Sequence, residues 1–342
     1  MEEDEIKRQI TLLRRTVQIF CFCFIVFGGL CGIKKQHFSF LPFIEAPKEY
    51  KEYIQQYKQE KGQGIIIAGP SYPQVFDTYL PIKSCRFSRQ TGTFRACFIH
   101  FISEAISWST PLRLVLPHVL LFVILSILFG RLWCGWVCPL GFIQDSLYII
   151  RKGIKLKSFS LPDETKRLFK VISIVLLISI LILSVISGIS TLSWSLKKQL
   201  YLSVCQMCPS RYIFPYLSGW PIVHQFFPLG YGIFTTISII FALTLLGAFF
   251  IKRTWCRICP SGLILSFFNR GALLCKEKNL LRCSRCGICE SVCPLQNKDV
   301  YLEKKSKNIN FSNCIHCFQC VDVCPQNDSL KVNFLNKVIF KS

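Results

Sequence analysis

Histidine is scarce in this chain of 342 residues, which contains five. A di-haem membrane cytochrome needs four axial histidines on facing helices. Only His118 falls well inside an apolar run, so no haem is expected. Acidic side chains are also few, 19 against 41 Lys and Arg, leaving a net charge of +22. Charged residues make up 18% of the chain and hydrophobic ones 51%. That balance excludes a disordered chain and argues against a water-soluble globule. The chain is still too charged to be membrane helix throughout, so a membrane part joined to a polar part is expected. Membrane lipid suits the excess positive charge as a partner, and no nucleic acid partner is expected.

Cysteine, by contrast, is abundant, with 20 residues. Disulfide-rich secreted scaffolds reach such numbers, but they are short and lack long apolar runs. Four apolar runs occur here, Thr16–Ile33, Leu112–Phe129, Val171–Ile189 and Tyr231–Ile251, and a bilayer is crossed by roughly 20 residues. The short segment 131–170 carries eight Lys and Arg, whereas 191–230 carries three. Positive short loops stay inside, which places 131–170 and both termini in the cytoplasm. The amino terminus shows no small-residue cleavage site, so Thr16–Ile33 reads as a retained anchor.

Two stretches near the carboxyl end carry the strongest chemical signal. Cys283, Cys286, Cys289 and Cys293 form C-x2-C-x2-C-x3-C-P, and Cys314, Cys317, Cys320 and Cys324 repeat it 31 residues later. Three thiolates in one tight turn cap three corners of an iron–sulfur cube, and the cysteine before proline serves the neighbouring cube. The spacing therefore assigns Cys283, Cys286, Cys289 and Cys324 to one 4Fe–4S cluster, and Cys314, Cys317, Cys320 and Cys293 to a second. Zinc ribbons use two separated C-x2-C pairs and need neither the third cysteine nor the proline. These residues resemble the bacterial two-cluster ferredoxin family, which implies a small α+β module with pseudo-twofold symmetry.

A second repeat follows the second and fourth apolar runs. It reads Arg131-Leu-Trp-Cys134-Gly-Trp-Val-Cys138-Pro139 in one place and Arg253-Thr-Trp-Cys256-Arg-Ile-Cys259-Pro260 in the other. Tryptophan suits the membrane interface. Proline suits the first turn of a helix, which puts Cys138 and Cys259 at helix amino termini, where the dipole favours a thiolate. Cys134, Cys138, Cys256 and Cys259 could hold a third cluster, or they could be reduced structural cysteines packing interfacial turns.

Spans, Cys-Pro turns and a terminal two-cluster ferredoxin together resemble the NapH-type membrane ferredoxins and the carboxyl-terminal half of NosR-type proteins. The resemblance covers roughly residues 112–330. It implies electron transfer between the quinone pool and a reductase system or other redox partner protein, as an iron–sulfur component of a quinol dehydrogenase-like complex. The family's turn motif is usually C-x3-C-P at both places, and here the second is one residue shorter.

The expected architecture is a polytopic α-helical membrane protein of about four transmembrane helices, with both termini cytoplasmic. It is fused to a small α+β two-cluster ferredoxin-like domain on the cytoplasmic side of the inner membrane. The expected divisions are an anchor at 1–33, an extracytoplasmic loop region at 34–111, membrane helices with Cys-Pro turns at 112–270, and a dicluster ferredoxin domain at 271–342. Outside the bilayer, Cys85, Cys97, Cys205 and Cys208 read as structural disulfides, redox thiols or a metal pair. His118 with Arg113 could face a quinone head group. Alternatively, His118 caps backbone carbonyls freed at Pro117. Asp145, at the inner interface, is a further buried-charge candidate. Two other functions fit the same sequence, a transmembrane thiol reductase feeding Cys205 and Cys208, and a maturation factor for a metalloenzyme.

Overall fold

The computed structural model describes residues 9–27, 78–82, 94–107, 110–156, 159–189, 208–217 and 246–342, with short stretches at 200, 239–240 and 243–244. Three described helices are long and apolar enough to cross a bilayer. They are α1 (Gln9–Phe27), α3 (Leu112–Phe129) and α6 (Asp163–Ser187). A parallel strand pair, β1 (Thr78–Leu80) and β2 (Phe94–Ala96), leads into the short apolar helix α2 (Phe98–Ser107). Helix α3 coincides with its apolar run. Most of Tyr231–Ile251, the expected fourth span, lies outside the described residues.

Helices α1 and α6 begin earlier than their apolar runs, for different reasons. Asp163 and Glu164 occupy the first turn of α6 behind Pro162, where negative side chains complement the helix dipole. In α1 the added turns carry polar side chains that find buried partners. Arg14 and Gln18 are both buried, and the free amino end is capped from afar. Asp322 of the carboxyl-terminal module accepts from the Ile10 and Thr11 backbone amides at 3.3 and 3.1 Å, and from the Thr11 hydroxyl. A helix leaves its first amides without internal partners, and here a residue 312 positions away supplies the acceptor.

Within the membrane part, α2 packs on α6 through serines. Ser103 and Ser184 share a hydrogen bond at 2.6 Å, as do Ser107 and Ser187. Small hydroxyl residues let helix backbones approach and bond across the interface.

Past α3 the chain forms α4 (Leu132–Trp136) and α5 (Pro139–Gly153). The corresponding pair later in the chain is α8 (Thr254–Ile258) and α9 (Pro260–Phe268), with α7 (Ser210–Leu217) lying between. The carboxyl-terminal module is a three-stranded antiparallel sheet of β3 (Leu274–Lys278), β4 (Leu330–Phe334) and β5 (Lys337–Lys341), in that order. Three short helices, α10 (Ile288–Val292), α11 (Asp299–Leu302) and α12 (Gln319–Asp322), complete it. Its core of Leu274, Val300, Ile309, Val321, Leu330 and Val332 also takes in Trp136 from α4. The Trp136 indole donates to the His316 carbonyl at 2.8 Å. The module is thereby packed directly on the turn that leaves the membrane.

Candidate metal centres

Cysteine side chains gather in three groups. The outermost is Cys283, Cys286, Cys289 and Cys324, which line one cavity with Ile288, Val300, Pro325 and Leu330. Burial, and then the neighbouring Cys283 and Cys286, push the Cys289 thiol up to about 11. The backbone explains the concave shape. Arg285 and Gly287 both have positive φ, 56° and 78°, between the cysteines, and His316 and Phe318 repeat this at 49° and 56° in the second motif. Left-handed residues alternating with right-handed ones turn successive amides toward one point, a backbone nest suited to an anion such as an iron–sulfur cluster. Glycine takes that conformation freely, while His316 and Phe318 take it against their side chains.

The second group is Cys293, Cys314, Cys317 and Cys320. The Cys320 thiol is pushed up to about 12 by burial, against Lys276, with further upward pressure from Cys317, Cys314 and Cys293. Burial and then Cys317 also raise Cys293. Lys276 is 2% exposed, and its ammonium lies 3.9 Å from the Cys320 Sγ. Burial alone would lower its pKa, but the Cys314 and Cys320 charges turn it upward. Its neighbour on the same face of β3, Lys278, is also buried, and it donates to the carbonyls of Val300, Tyr301 and Glu303 at the end of α11. A buried ammonium among thiols matches an anionic occupant. His316 is held well below its usual range, at about 3, by burial and then by Lys276 and Arg131. Cys324 thus lies with Cys283, Cys286 and Cys289, and Cys293 near Cys317 and Cys314.

The third group joins the two Cys-Pro turns. Cys138 and Cys259 precede α5 and α9 with nearly identical backbone angles, −63°, 116° and −66°, 119°. Cys134 is pushed up to about 11 by burial, with Arg131 opposing and Cys256 and Cys259 adding. The missing residue of the second turn is accounted for. Helices α4 and α8 have five residues each, but Val137 stands as an extra cap before Cys138, whereas Ile258 leads straight to Cys259. The shorter spacing removes a cap and leaves both cysteines in the same conformation.

Arginines exchanged between the turns hold them together. Arg131 donates to the Cys256 carbonyl at 3.2 Å, and Arg253 donates to the Cys134 carbonyl at 2.6 Å. Glycines make room for both. A Cβ on Gly141 would lie 2.9 Å from the Cys134 carbonyl and 3.3 Å from the Arg253 guanidinium, and one on Gly262 would lie 2.9 Å from that of Arg131. Asp145 anchors one side. It accepts from Arg253 at 2.7 and 2.5 Å, from Gln18 at 3.0 Å, and from Arg14. Burial would raise its pKa, but Arg253 and then Arg14 hold it well below the usual carboxylate range. Gln144 accepts from the Trp255 amide at 3.0 Å and donates to the Cys256 Sγ at 3.5 Å. The second and third groups touch, since Cys134 and Cys256 pack with Cys293, Leu295, Ile315 and Cys317 in one apolar cluster.

Among the described residues no three Cys, His, Asp or Glu side chains converge on a single-ion position. A cubane spreads its thiolates over separate irons, so the donor sets and the nests fit a cluster of that kind.

A family of 4Fe–4S binding domains matches residues 115–157 and 233–278, which hold the two Cys-Pro turns, and a 4Fe–4S dicluster domain matches 275–325. An uncharacterized protein of Methanocaldococcus jannaschii is 30% identical over 72% of this chain and 89% of its own length. The ferredoxin-type protein NapH of Escherichia coli is 26% identical over 64% of this chain, in 224 aligned residues, and 67% of its own. The chain belongs to the membrane ferredoxin family. The regulatory protein NosR of Stutzerimonas stutzeri is 26% identical to this membrane ferredoxin over 65% of its chain and 28% of NosR. No solved structure matches. The membrane ferredoxin is therefore an iron–sulfur electron-transfer protein of the membrane.

The remaining candidates are more scattered. In this membrane ferredoxin His118 is buried, with a ring nitrogen 2.8 Å from the Leu114 carbonyl and its ring 5.0 Å from Phe101. Arg113 is exposed, so the two are not brought to one surface. Cys97 is buried and Cys208 half-buried, while Cys85 and Cys205 lie outside the described residues. Sequence reasoning passed over His100 and Glu104, a buried pair 3.7 Å apart on α2. The signal was present as two ionisable residues at i and i+4 in an apolar stretch.

Proposed function

We propose that this chain relays single electrons between the quinone pool of the inner membrane and a redox partner protein, with the ferredoxin module in the cytoplasm. Cys283, Cys286, Cys289 and Cys324 hold one 4Fe–4S cluster, and Cys314, Cys317, Cys320 and Cys293 hold a second. Cys134, Cys138, Cys256 and Cys259 hold a third, and a fourth span, Tyr231–Ile251, completes the membrane bundle. When bound, the clusters supply one-electron capacity at potentials set by hydrogen bonding and burial.

The chain's own residues do the rest. Left-handed turns aim amides at the thiol groups, Lys276 offers a buried positive charge, and the Arg131 and Arg253 exchange fixes the turns. The observation that carries the reading is the contact of Cys134 and Cys256 with Cys293 and Cys317. It makes the second group the middle of three, between the turns at the membrane and the outer group, where Cys286 is exposed. Charge bias in the short loops supports the cytoplasmic placement.

Iron analysis on anaerobically purified protein tests the assignment. Three cubanes give about 12 irons per chain and two give about 8. Cys134→Ser and Cys256→Ser should each lower the wild-type value by about four, and should abolish reduction of the remaining clusters by an added quinol. A wild-type value near eight, unchanged in both variants, overturns the third cluster. A full iron complement with no response to quinol overturns the quinone end.

A further inference from the structure

A cavity of about 260 Å³ opens beside the second Cys-Pro turn, with Cys256 and Cys259 in one wall. Its lining carries Arg131, Lys166, Lys170, Arg257 and Arg270 against one carboxylate, Asp299. Lys166 is partly engaged, donating to Asp163 at 2.8 Å and to the Gln296 carbonyl at 3.1 Å. Neither arginine at the turn pairs with a carboxylate among the described residues; the thiols of Cys134, and of Cys293 and Cys256, are their acidic neighbours. Arg131 is 5% exposed, and its guanidinium donates, among the described residues, to the carbonyls of Ser312 and Cys256, at 3.3 and 3.2 Å. Arg257 donates only to those of Leu295 and Pro294, at 3.0 and 3.3 Å. Both keep a buried Nε without a partner among the described residues.

The internal repeat shows what is missing. Arg253, the counterpart of Arg131, meets Asp145, which stands seven residues after Cys138. Seven residues after Cys259 the chain has Ser266, and Ser266 lines the cavity. Where one half of the repeat supplies its own carboxylate, the other leaves a polar space of molecular size. Lys166 and Lys170 lie one turn apart on α6, immediately before its apolar run, which is the depth of lipid head groups. Basic pockets between helices at that level recognise phosphate head groups.

We propose that this cavity binds a phosphate ester, whose charge takes the place that Asp145 holds in the other half of the repeat. The volume admits a phosphate with a glycerol-sized substituent and lies below the range of pockets for larger ligands, roughly 300–1,000 Å³. The phosphate comes either from an anionic phospholipid or from a soluble phosphate, and the two are separable by experiment.

The test uses the full chain, cluster-loaded, in a maltoside detergent, with calorimetric titration of short-chain phosphatidylglycerol, short-chain phosphatidylcholine and inorganic phosphate. Phosphatidylglycerol binds, phosphatidylcholine binds more weakly, and the rim variant Lys170→Gln/Arg270→Gln weakens phosphatidylglycerol roughly 10- to 30-fold. The control Lys337→Gln/Lys341→Gln, on the exposed strand β5, leaves binding unchanged. Lipid binding that inorganic phosphate does not displace identifies the lipid as the source. Direct binding of inorganic phosphate, with the same sensitivity to the rim variant, identifies a soluble source. The proposal is overturned if neither probe binds, or if the rim and control variants behave alike.

Discussion

Replacing Asp145 by alanine removes the shared partner of two buried cations. Arg14 is 3% exposed and Arg253 1%, and Asp145 itself is 19% exposed. The substitution leaves both guanidinium groups in one pocket, with neutral acceptors such as the Gly135 and Cys134 carbonyls to receive them. Breaking a buried pair by removing one partner typically costs about 3–5 kcal/mol. At about 2–4 °C per kcal/mol for chains of moderate size, the thermal midpoint should fall by roughly 6–20 °C. Asp163→Ala serves as the reference, because it removes an exposed carboxylate paired with Lys166 and Lys298, and it should leave the midpoint unchanged. The pH dependence has a definite sign. The folded-state pKa of Asp145 is depressed, so its stabilisation is fully present above the unfolded carboxylate value of about 3.9 and is lost as pH falls toward the folded value. The gap between wild type and Asp145→Ala should therefore be constant from pH 8 to about 5 and shrink only in stronger acid. Thermal unfolding in detergent across that range is the assay. A midpoint equal to that of Asp163→Ala at neutral pH would refute the reasoning.

Two further outcomes are expected. A Cβ on Gly135 would stand 2.3 Å from the Ile315 carbonyl, whereas one on Gly153 meets nothing within 4 Å. Gly135→Ala should therefore destabilise by about 1–3 kcal/mol and loosen the module from the turn, read as faster proteolytic release. Gly153→Ala, at the end of α5, should be neutral or stabilising by up to about 1 kcal/mol. Lys276→Met removes the buried charge beside Cys320 and should lower the midpoint potential of the neighbouring cluster, on the order of 100 mV, in an anaerobic redox titration. An unchanged potential would show that the ammonium does not act on that site.

Local patterns were readable from the sequence because they have local causes. The C-x2-C-x2-C-x3-C-P spacing calls for a tight turn, and the left-handed residues at Arg285, Gly287, His316 and Phe318 form one in each motif. Apolar length located α3. Proline placed Cys138 and Cys259 at helix starts. What escaped were relations between distant segments. The exchange of Arg131 and Arg253 depends on two turns meeting, and nothing in either stretch alone says that its arginine reaches the other's carbonyl. Alternation on β3 would place Lys276 and Lys278 outward or inward equally well until the thiols and helix carbonyls that receive them are known. Helix α1 was read as an anchor from its apolar half. Its polar half has hydrogen-bond partners 121 to 312 residues away.

The bond between the first turn of α1 and Asp322 also bears on the order of assembly. The ribosome makes α1 long before its cap. At about 5–20 residues per second, the 312 intervening positions take roughly 15–60 s to synthesise. Throughout that interval the leading amides of α1 lack their native acceptor, and Arg14 waits for a carboxylate that emerges well before the cap does. Closure of the first turn of α1 on Asp322 is consequently a late event, and under the proposed function it joins a module whose cysteines hold clusters. Cells starved of iron should accumulate full-length chains with an accessible amino terminus, rather than chains truncated at the membrane.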